Sequence, residues 1–178
     1  MVQEKYWFLK EINLKKIYFC YLLFLNLFIS ATPIEEINIF FTNDLTFVQT
    51  SLNKIDNSFD KSAGSYKKSP DKIRIDIESP FKEIYFIDND GIEVHDLEFN
   101  QIKNIPIEQV NQNFFIDFIL NGFLDSSKIE NLNNKSFVVV EDEKNFYFEF
   151  IDENTLQIKF KDNMNIDNLI KFYKKHDN

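Results

Sequence analysis

Lys72-Ile73-Arg74-Ile75-Asp76-Ile77-Glu78 alternates without a fault, isoleucine against charge. A period of two puts the three isoleucines on one face of an extended chain and the charges on the other, the pattern of a half-buried antiparallel strand. Pro80 ends it. Downstream, Ile84 to Ile87 and Ile92 to Val94 flank Asp88-Asn89-Asp90-Gly91, which reads as a four-residue hairpin loop with glycine where a positive φ is needed. Asp96 to Phe99 reads as another tight connection and Asn100 to Asn104 as a further strand.

Ile107 to Leu124 breaks the alternation. Phe114, Phe115, Phe118, Ile119 and Phe123 recur at helical spacing, and the stretch is too apolar for a fully solvated helix. Period two then returns in Ser136 to Glu141, Asn145 to Ile151 and Thr155 to Lys161, joined by the polar turns Asp142-Glu143-Lys144 and Asp152-Glu153-Asn154. Phe146, Phe148 and Phe150 share one face, as do Leu156, Ile158 and Phe160. Asn168 to Tyr173 fits a last strand or a terminal helix. Upstream, Ile37, Phe40, Phe41, Leu45, Val48 and Leu52 lie three and four apart, which predicts an amphipathic helix over Ile34 to Asn53, with Asn43-Asp44 as its weak point. Ile55 to Phe59 reads as the first strand. The class that follows is α+β: a strongly curved antiparallel sheet of about seven to nine strands, preceded by a helix and interrupted by helical insertions.

The first 31 residues have a separate logic. Lys15 and Lys16 precede the apolar run Ile17 to Ile29, Ser30-Ala31 offers a peptidase site, and Thr32-Pro33 follows. Thirteen residues that include Asn26 fall short of the roughly 20 needed to span a bilayer. The expectation is a secretory signal peptide over 1–31 and an exported domain over 32–178, with an uncleaved anchor as the alternative. Cys20, the sole cysteine, lies inside the apolar run between Tyr18-Phe19 and Tyr21-Leu22-Leu23, unlike a lipidation site. The exported domain would therefore rest on its core without disulfides.

The net charge is −9, and removing the first 31 residues, with four lysines and two glutamates, leaves 16 basic and 27 acidic groups, or −11. That argues against a nucleic-acid partner and against lying on an anionic membrane surface. Enzyme chemistry finds little support. His95 stands beside Asp96 on an alternating strand, and His176 sits in a Lys-Lys-His-Asp tail. No Gly-rich phosphate loop, His-x-x-x-His or Gly-x-Ser-x-Gly occurs. Asp88, Asp90, Glu93 and Asp96 do not follow the spacing of an EF-hand loop and read as a solvated turn. No catalytic residue, metal or cofactor is expected.

One order of features is more informative than any of its parts. Phe47-Val48-Gln49 is followed by Gly64-Ser65-Tyr66-Lys67-Lys68-Ser69-Pro70, the alternating strand to Pro80, the Asp90-Gly91 hairpin and Asp96-Leu97-Glu98-Phe99-Asn100-Gln101. This order resembles the LolA family of periplasmic carriers of outer-membrane lipoproteins. Phe47, Gln49, Gly64, Pro70 and Gln101 match the family pattern, and the likeness covers Ile34 to Leu124. The resemblance implies a curved antiparallel half-barrel, an incomplete β-barrel with an N-terminal helix and helical lid inserts. It implies a periplasmic chaperone that takes lipoprotein acyl chains from the inner to the outer membrane. Its partners would be acylated lipoproteins, an inner-membrane lipoprotein release complex and an outer-membrane lipoprotein receptor; the chain itself would be a monomer. The alternative is a LolA-like half-barrel that binds a protein partner or another lipid as an envelope regulator.

A soluble carrier needs an apolar concavity, because each buried CH₂ contributes about 0.8 kcal/mol. The expected wall is Ile73, Ile75 and Ile77, with Ile84, Phe86, Ile92 and Val94, and then Phe146, Phe148 and Phe150. The expected lid is Phe114, Phe115, Phe118 and Phe123. Periodicity alone allows the opposite reading, in which the same side chains fill a solid core. In the family an arginine before the proline latches the lid; here that position is Ser69. If the strand ran unbroken past Pro70, Ser69 and Lys67 would face inward with Ile73 and Ile75, and Arg74 outward. Lys67 would then take part of the latch's work, and the lid would open more readily than in relatives.

Overall fold

Pro33 opens helix α1 (Pro33–Phe40) at the position where its missing N–H is harmless, and Glu35 and Glu36 favour the positive end of the helix dipole. The computed structural model describes residues 33–53, 57–110, 114–122, 128–141, 143–162 and 164–175. The expected signal segment, the start of the strand placed at Ile55, Phe123 and His176 lie outside them. The helix does not run to Asn53 as its spacing suggested. Thr42 Oγ1 donates to the Ile39 carbonyl, and Asn43 Nδ2 donates to the carbonyls of Ile39 and Phe40. These side chains satisfy the orphan carbonyls and end the helix. Leu45-Thr46-Phe47-Val48-Gln49-Thr50 then continues as strand β1 (Leu45–Asn53).

The strands that follow are β2 (Ser58–Lys68), β3 (Ile73–Ser79), β4 (Glu83–Asp88), β5 (Gly91–Asp96) and β6 (Gln101–Pro106). A 3₁₀ turn (Ile107–Gln109) leads to helix α2 (Phe114–Asn121), and then come β7 (Ile129–Asn133), β8 (Ser136–Glu141), β9 (Lys144–Asp152), β10 (Thr155–Lys161) and β11 (Asp167–Lys174). They form one antiparallel sheet in the order β6-β5-β4-β3-β2-β1-β11-β10-β9-β8-β7. Two meanders meet where β1 pairs β11, and β6 and β7 are the two ends of an open sheet. The sheet has eleven strands rather than seven to nine: β1 was read as helix, β7 was not read from the sequence, and Asp167–Lys174 settles as strand. The β4–β5 loop is two residues, since Asp88 already pairs with Gly91. Gly91 has φ +149°, which side chains rarely adopt, and an added Cβ would meet the Ile105 carbonyl. Among the described residues, no helix is long and apolar enough to cross a membrane.

Both helices pack on the same face of the sheet. Phe41, just past α1, is the hub: its ring centroid lies 5.5 Å from Tyr66, 5.0 Å from Phe118 of α2 and 5.1 Å from Phe172, each edge-on. Gly64 is required first by the Asp76 carbonyl on β3, which an added Cβ would strike, and then by Phe47, whose ring lies across it with Cζ 2.8 Å from that Cβ position. Two residues matched in the family pattern are thus one packing contact.

Tyr66 is buried and donates to the Phe41 carbonyl at 3.2 Å. Burial raises its pKa above the ordinary 10.0. The unfolded chain therefore ionises first, so this contribution to stability is complete below pH 10 and is lost as the pH rises further. Tyr85 shifts the same way, by burial and its bond to Glu83. Urea unfolding of the wild type from pH 9 to 11.5 should show stability level to about pH 10 and then falling by up to about 1.4 kcal/mol per pH unit for Tyr66, and by less for the half-buried Tyr85. Tyr66→Phe should lose about 1 kcal/mol at neutral pH and have a shallower alkaline slope. An unchanged slope would exclude Tyr66 as its source.

Candidate functional site

Register decides which side chains face the helices. Gly64 pairs with Ile77, Tyr66 with Ile75 and Lys68 with Ile73; Ile73 then pairs with Ile87 and Ile75 with Tyr85. Ile73, Ile75, Ile77, Tyr85 and Ile87 therefore share the helix-covered face, and Ile92 and Val94 follow through their pairing with Ile87 and Tyr85. Ile84 and Phe86, expected on this wall, are on the other face. Phe86 pairs with Arg74, and Lys72 and Arg74 lie over its ring at 4.9 and 5.6 Å. The run Ile84-Tyr85-Phe86-Ile87 is apolar throughout, so its phase is invisible until β3 fixes it.

On the other limb Phe146, Phe148 and Phe150 face the helices as expected, paired through Phe148–Ile158 and Phe150–Leu156. Over its centre this face is filled by the protein itself. Ile37, Phe40 and Phe41 from the α1 region and Phe118 and Ile119 from α2 are buried, together with Ile73, Phe148, Leu156 and Ile158. The sequence expected an accessible hollow along the whole wall; the solid-core alternative holds for this centre.

At one end of the face the packing opens. There, Phe114 and Phe115 of α2 lie opposite Phe146, Phe160 and Ile170, with Val110 and Gln49 at the sides, around a cavity of about 680 Å³. That is within the roughly 300–1,000 Å³ typical of ligand sites. The Phe114 and Phe146 rings are 4.4 Å apart, and Phe160 stacks on Phe146 at 5.5 Å. Glu141, Lys144, Lys161 and Asp162 form a charged rim. A second concavity, about 750 Å³, opens at the same end of the sheet and takes in Thr50, Leu52, Phe59, Tyr147 and Leu169, which face away from the helices. It shares Phe160 and the lysine rim with the first.

Lys68 ties α2 down. Its ammonium donates to the carbonyls of Ile119 and Leu120 at 2.9 and 3.0 Å, two of the C-terminal helix carbonyls that lack an intrahelical partner. Desolvation lowers its pKa below 10.5. The sequence reading gave this direction to Lys67 and Ser69, on the premise of an unbroken strand. The premise fails: Ser69 N–H bonds to the Lys72 carbonyl at 2.8 Å and the chain reverses there. Lys67 pairs with Arg74 on the opposite face and bridges to Asp44 at 3.2 Å.

Gln49 is the half-buried polar wall residue. Its Nε2 donates to Asn168 Oδ1 at 3.0 Å and more weakly to Ser51 Oγ at 3.3 Å. Ser51 Oγ donates to Asn168 Oδ1 at 2.6 Å, and Asn168 Nδ2 donates to the Ile166 carbonyl at 3.0 Å. Pro70 sits exposed in the β2–β3 connection, and Gln101 begins the edge strand opposite Asp96. Neither lines the cavity. His95 faces outward with Phe86 and is bonded to Glu93 at 2.6 Å. Asp88 Oδ1 accepts the Asp90 N–H and closes the β4–β5 turn. Among the described residues, no group of three or more His, Cys, Asp or Glu is placed to hold a metal.

No protein-family model matches this chain, and no curated protein matches it. The site must be argued from its own geometry.

The residues missed from sequence are Lys68, Phe160, Ile170 and Val110. Phe160 had a signal, its alternation with Ile158 and Leu156. Lys68 had none beyond a strand parity that needs the turn at Ser69.

Proposed function

We propose that this chain is a periplasmic carrier that shelters lipoprotein acyl chains on its helix-covered face and moves them from the inner to the outer membrane. The observation that carries the reading is the aromatic cavity under α2. Phe114 and Phe115 cover Phe146 and Phe160 at the open end, with about 680 Å³ between them. Sheltering about 14 methylenes is worth on the order of 11 kcal/mol gross. We read α2 as the lid of this cavity: its displacement also uncovers Phe148, now under Phe118 at 5.9 Å. Parting those rings offsets much of the gain and leaves the moderate affinity that a carrier must have in order to release its cargo. In this reading Lys68 is the latch, and the inner-membrane release complex and outer-membrane receptor are the partners on either side.

The test is expression in cells depleted of their own carrier, followed by asking whether lipoproteins reach the outer membrane. The purified chain should also withdraw acyl-labelled lipoprotein from membranes as a soluble complex. Failure in both assays would end the reading. The latch is read in the second one. Lys68→Met leaves two helix carbonyls without their donor, worth about 1 kcal/mol, so an acyl probe should dissociate roughly fivefold faster, while Lys68→Arg should stay near wild type. A wild-type dissociation rate in Lys68→Met would remove Lys68 from the mechanism.

A further inference from the structure

We propose that Gln49 makes the cavity selective for an acyl chain joined through an amide that keeps its N–H. This rests on the carrier function above and adds the chemistry of the linkage.

The argument follows the hydrogen bonds inward from a group that has no choice. The Ile166 carbonyl can only accept, so the Asn168 atom facing it is Nδ2, at 3.0 Å. Asn168 therefore turns Oδ1 toward β1, and the atom of Gln49 that meets it at 3.0 Å must be a donor, Nε2. The Ser51 hydroxyl adds its proton to the same Oδ1 at 2.6 Å. Asn168 is only 6 % exposed, so water does not readily loosen this arrangement. With Nε2 committed, Gln49 Oε1 has no partner among the described residues, and Gln49 is part of the wall beside Phe146, Phe160 and Ile170.

Glu141, Lys161 and Asp162 of the charged rim are each held by partners outside it. Glu141 holds Lys128 at 2.6 Å, Lys161 holds Asp167 at 2.9 Å, and Asp162 accepts the main-chain N–H groups of Met164 and Ile166. The apolar wall thus presents a fixed acceptor. A ligand with an N–H at the head of its acyl chain satisfies it. An ester brings only acceptors and a carboxylate brings charge, and each leaves Oε1 desolvated without a donor. An acyl group on the amino terminus of a lipoprotein is an amide with one N–H; acyl groups on a glyceryl moiety are esters. The cavity under α2 therefore takes the amide-linked chain.

The test is displacement of phenylnaphthylamine from the full chain by N-methyldodecanamide, N,N-dimethyldodecanamide, methyl dodecanoate and dodecanoate. The first two are amides of similar polarity that differ in the N–H, and the first should bind about tenfold more tightly. In Gln49→Met, which keeps the length of the side chain and removes the acceptor, that ratio should fall toward one. Equal binding of the two amides to the wild type overturns the inference, with no variant needed. So does tightest binding by dodecanoate, which would assign selection to the rim lysines. If none of the four displaces the probe, the carrier reading fails as well; if all displace it equally, that reading stands and the role of Gln49 falls.

Discussion

Phe41→Ala should lower the free energy of unfolding by about 3–5 kcal/mol, the largest stability effect of any single truncation considered for this chain. Phe41 is 3 % exposed and follows directly on α1, so it anchors that helix to the sheet. Its ring meets four others within 6 Å: Phe40, Tyr66, Phe118 and Phe172. Those rings come from α1, β2, α2 and β11, and no one of them can move into the vacated space without leaving another contact. The cavity is therefore poorly healed, the condition under which truncation is most damaging. For a domain of this size the loss corresponds to a fall in Tm of roughly 10 °C or more. Ile39→Ala on the same helix is the control: Ile39 is 60 % exposed and its truncation should stay within about 0.5 kcal/mol. Thermal and urea unfolding of the two variants decide the matter. A Phe41→Ala loss below about 1.5 kcal/mol would mean that α1 is not pinned through this ring.

The hub explains what the sequence could and could not reveal. Strands with strict alternation, such as Ile73-Arg74-Ile75-Asp76-Ile77 and Phe146-Tyr147-Phe148-Glu149-Phe150, have one face that tolerates burial, so both their existence and their phase were legible. Ile84-Tyr85-Phe86-Ile87 offers no polar position. Its existence was legible and its phase was not, and Tyr85 and Ile87 took the places assigned to Ile84 and Phe86. The region from Ile34 to Asn53 failed for another reason. Leu45 and Val48 continue the helical spacing of Ile37, Phe40 and Phe41, but Leu45 and Phe47 equally satisfy a period of two. The choice fell to Thr42 and Asn43, whose side chains cap α1. The latch was hidden at longer range still. Lys68 and Ile119 are 51 residues apart, and only the turn at Ser69 gives Lys68 the parity that reaches α2. Local pattern recovered β3 to β6 and β8 to β10 but neither β1 nor β7, and the contacts between distant elements that complete the candidate site, Lys68 with α2 and Gln49 with Asn168, left no local trace.

Phe160→Glu should weaken acyl-probe binding by roughly 50- to 100-fold while the chain still folds. The site makes this substitution informative because Phe160 is half-buried at the mouth, stacked on Phe146 at 5.5 Å and facing Phe115 at 6.5 Å. Loss of the ring should lower stability by only about 1–2 kcal/mol at such a partly open position. A bound alkyl chain, however, must either cover the new carboxylate or give up the surface around it. At a half-exposed site that penalty is about 2–3 kcal/mol, and 1.4 kcal/mol is a factor of ten in Kd. Phe160→Leu keeps an apolar wall and should stay within about threefold of wild type. Because Phe160 also borders the outer concavity, Phe59→Glu supplies the contrast. Phe59 is 64 % exposed and lines only the outer one, so its substitution should leave binding unchanged. Titration of the three variants with one fluorescent acyl probe separates the possibilities. Full affinity in a folded Phe160→Glu chain would show that no acyl chain lies under α2. Loss of affinity in Phe59→Glu would move the occupant to the opposite face of the sheet, where neither α2 nor Lys68 could gate it.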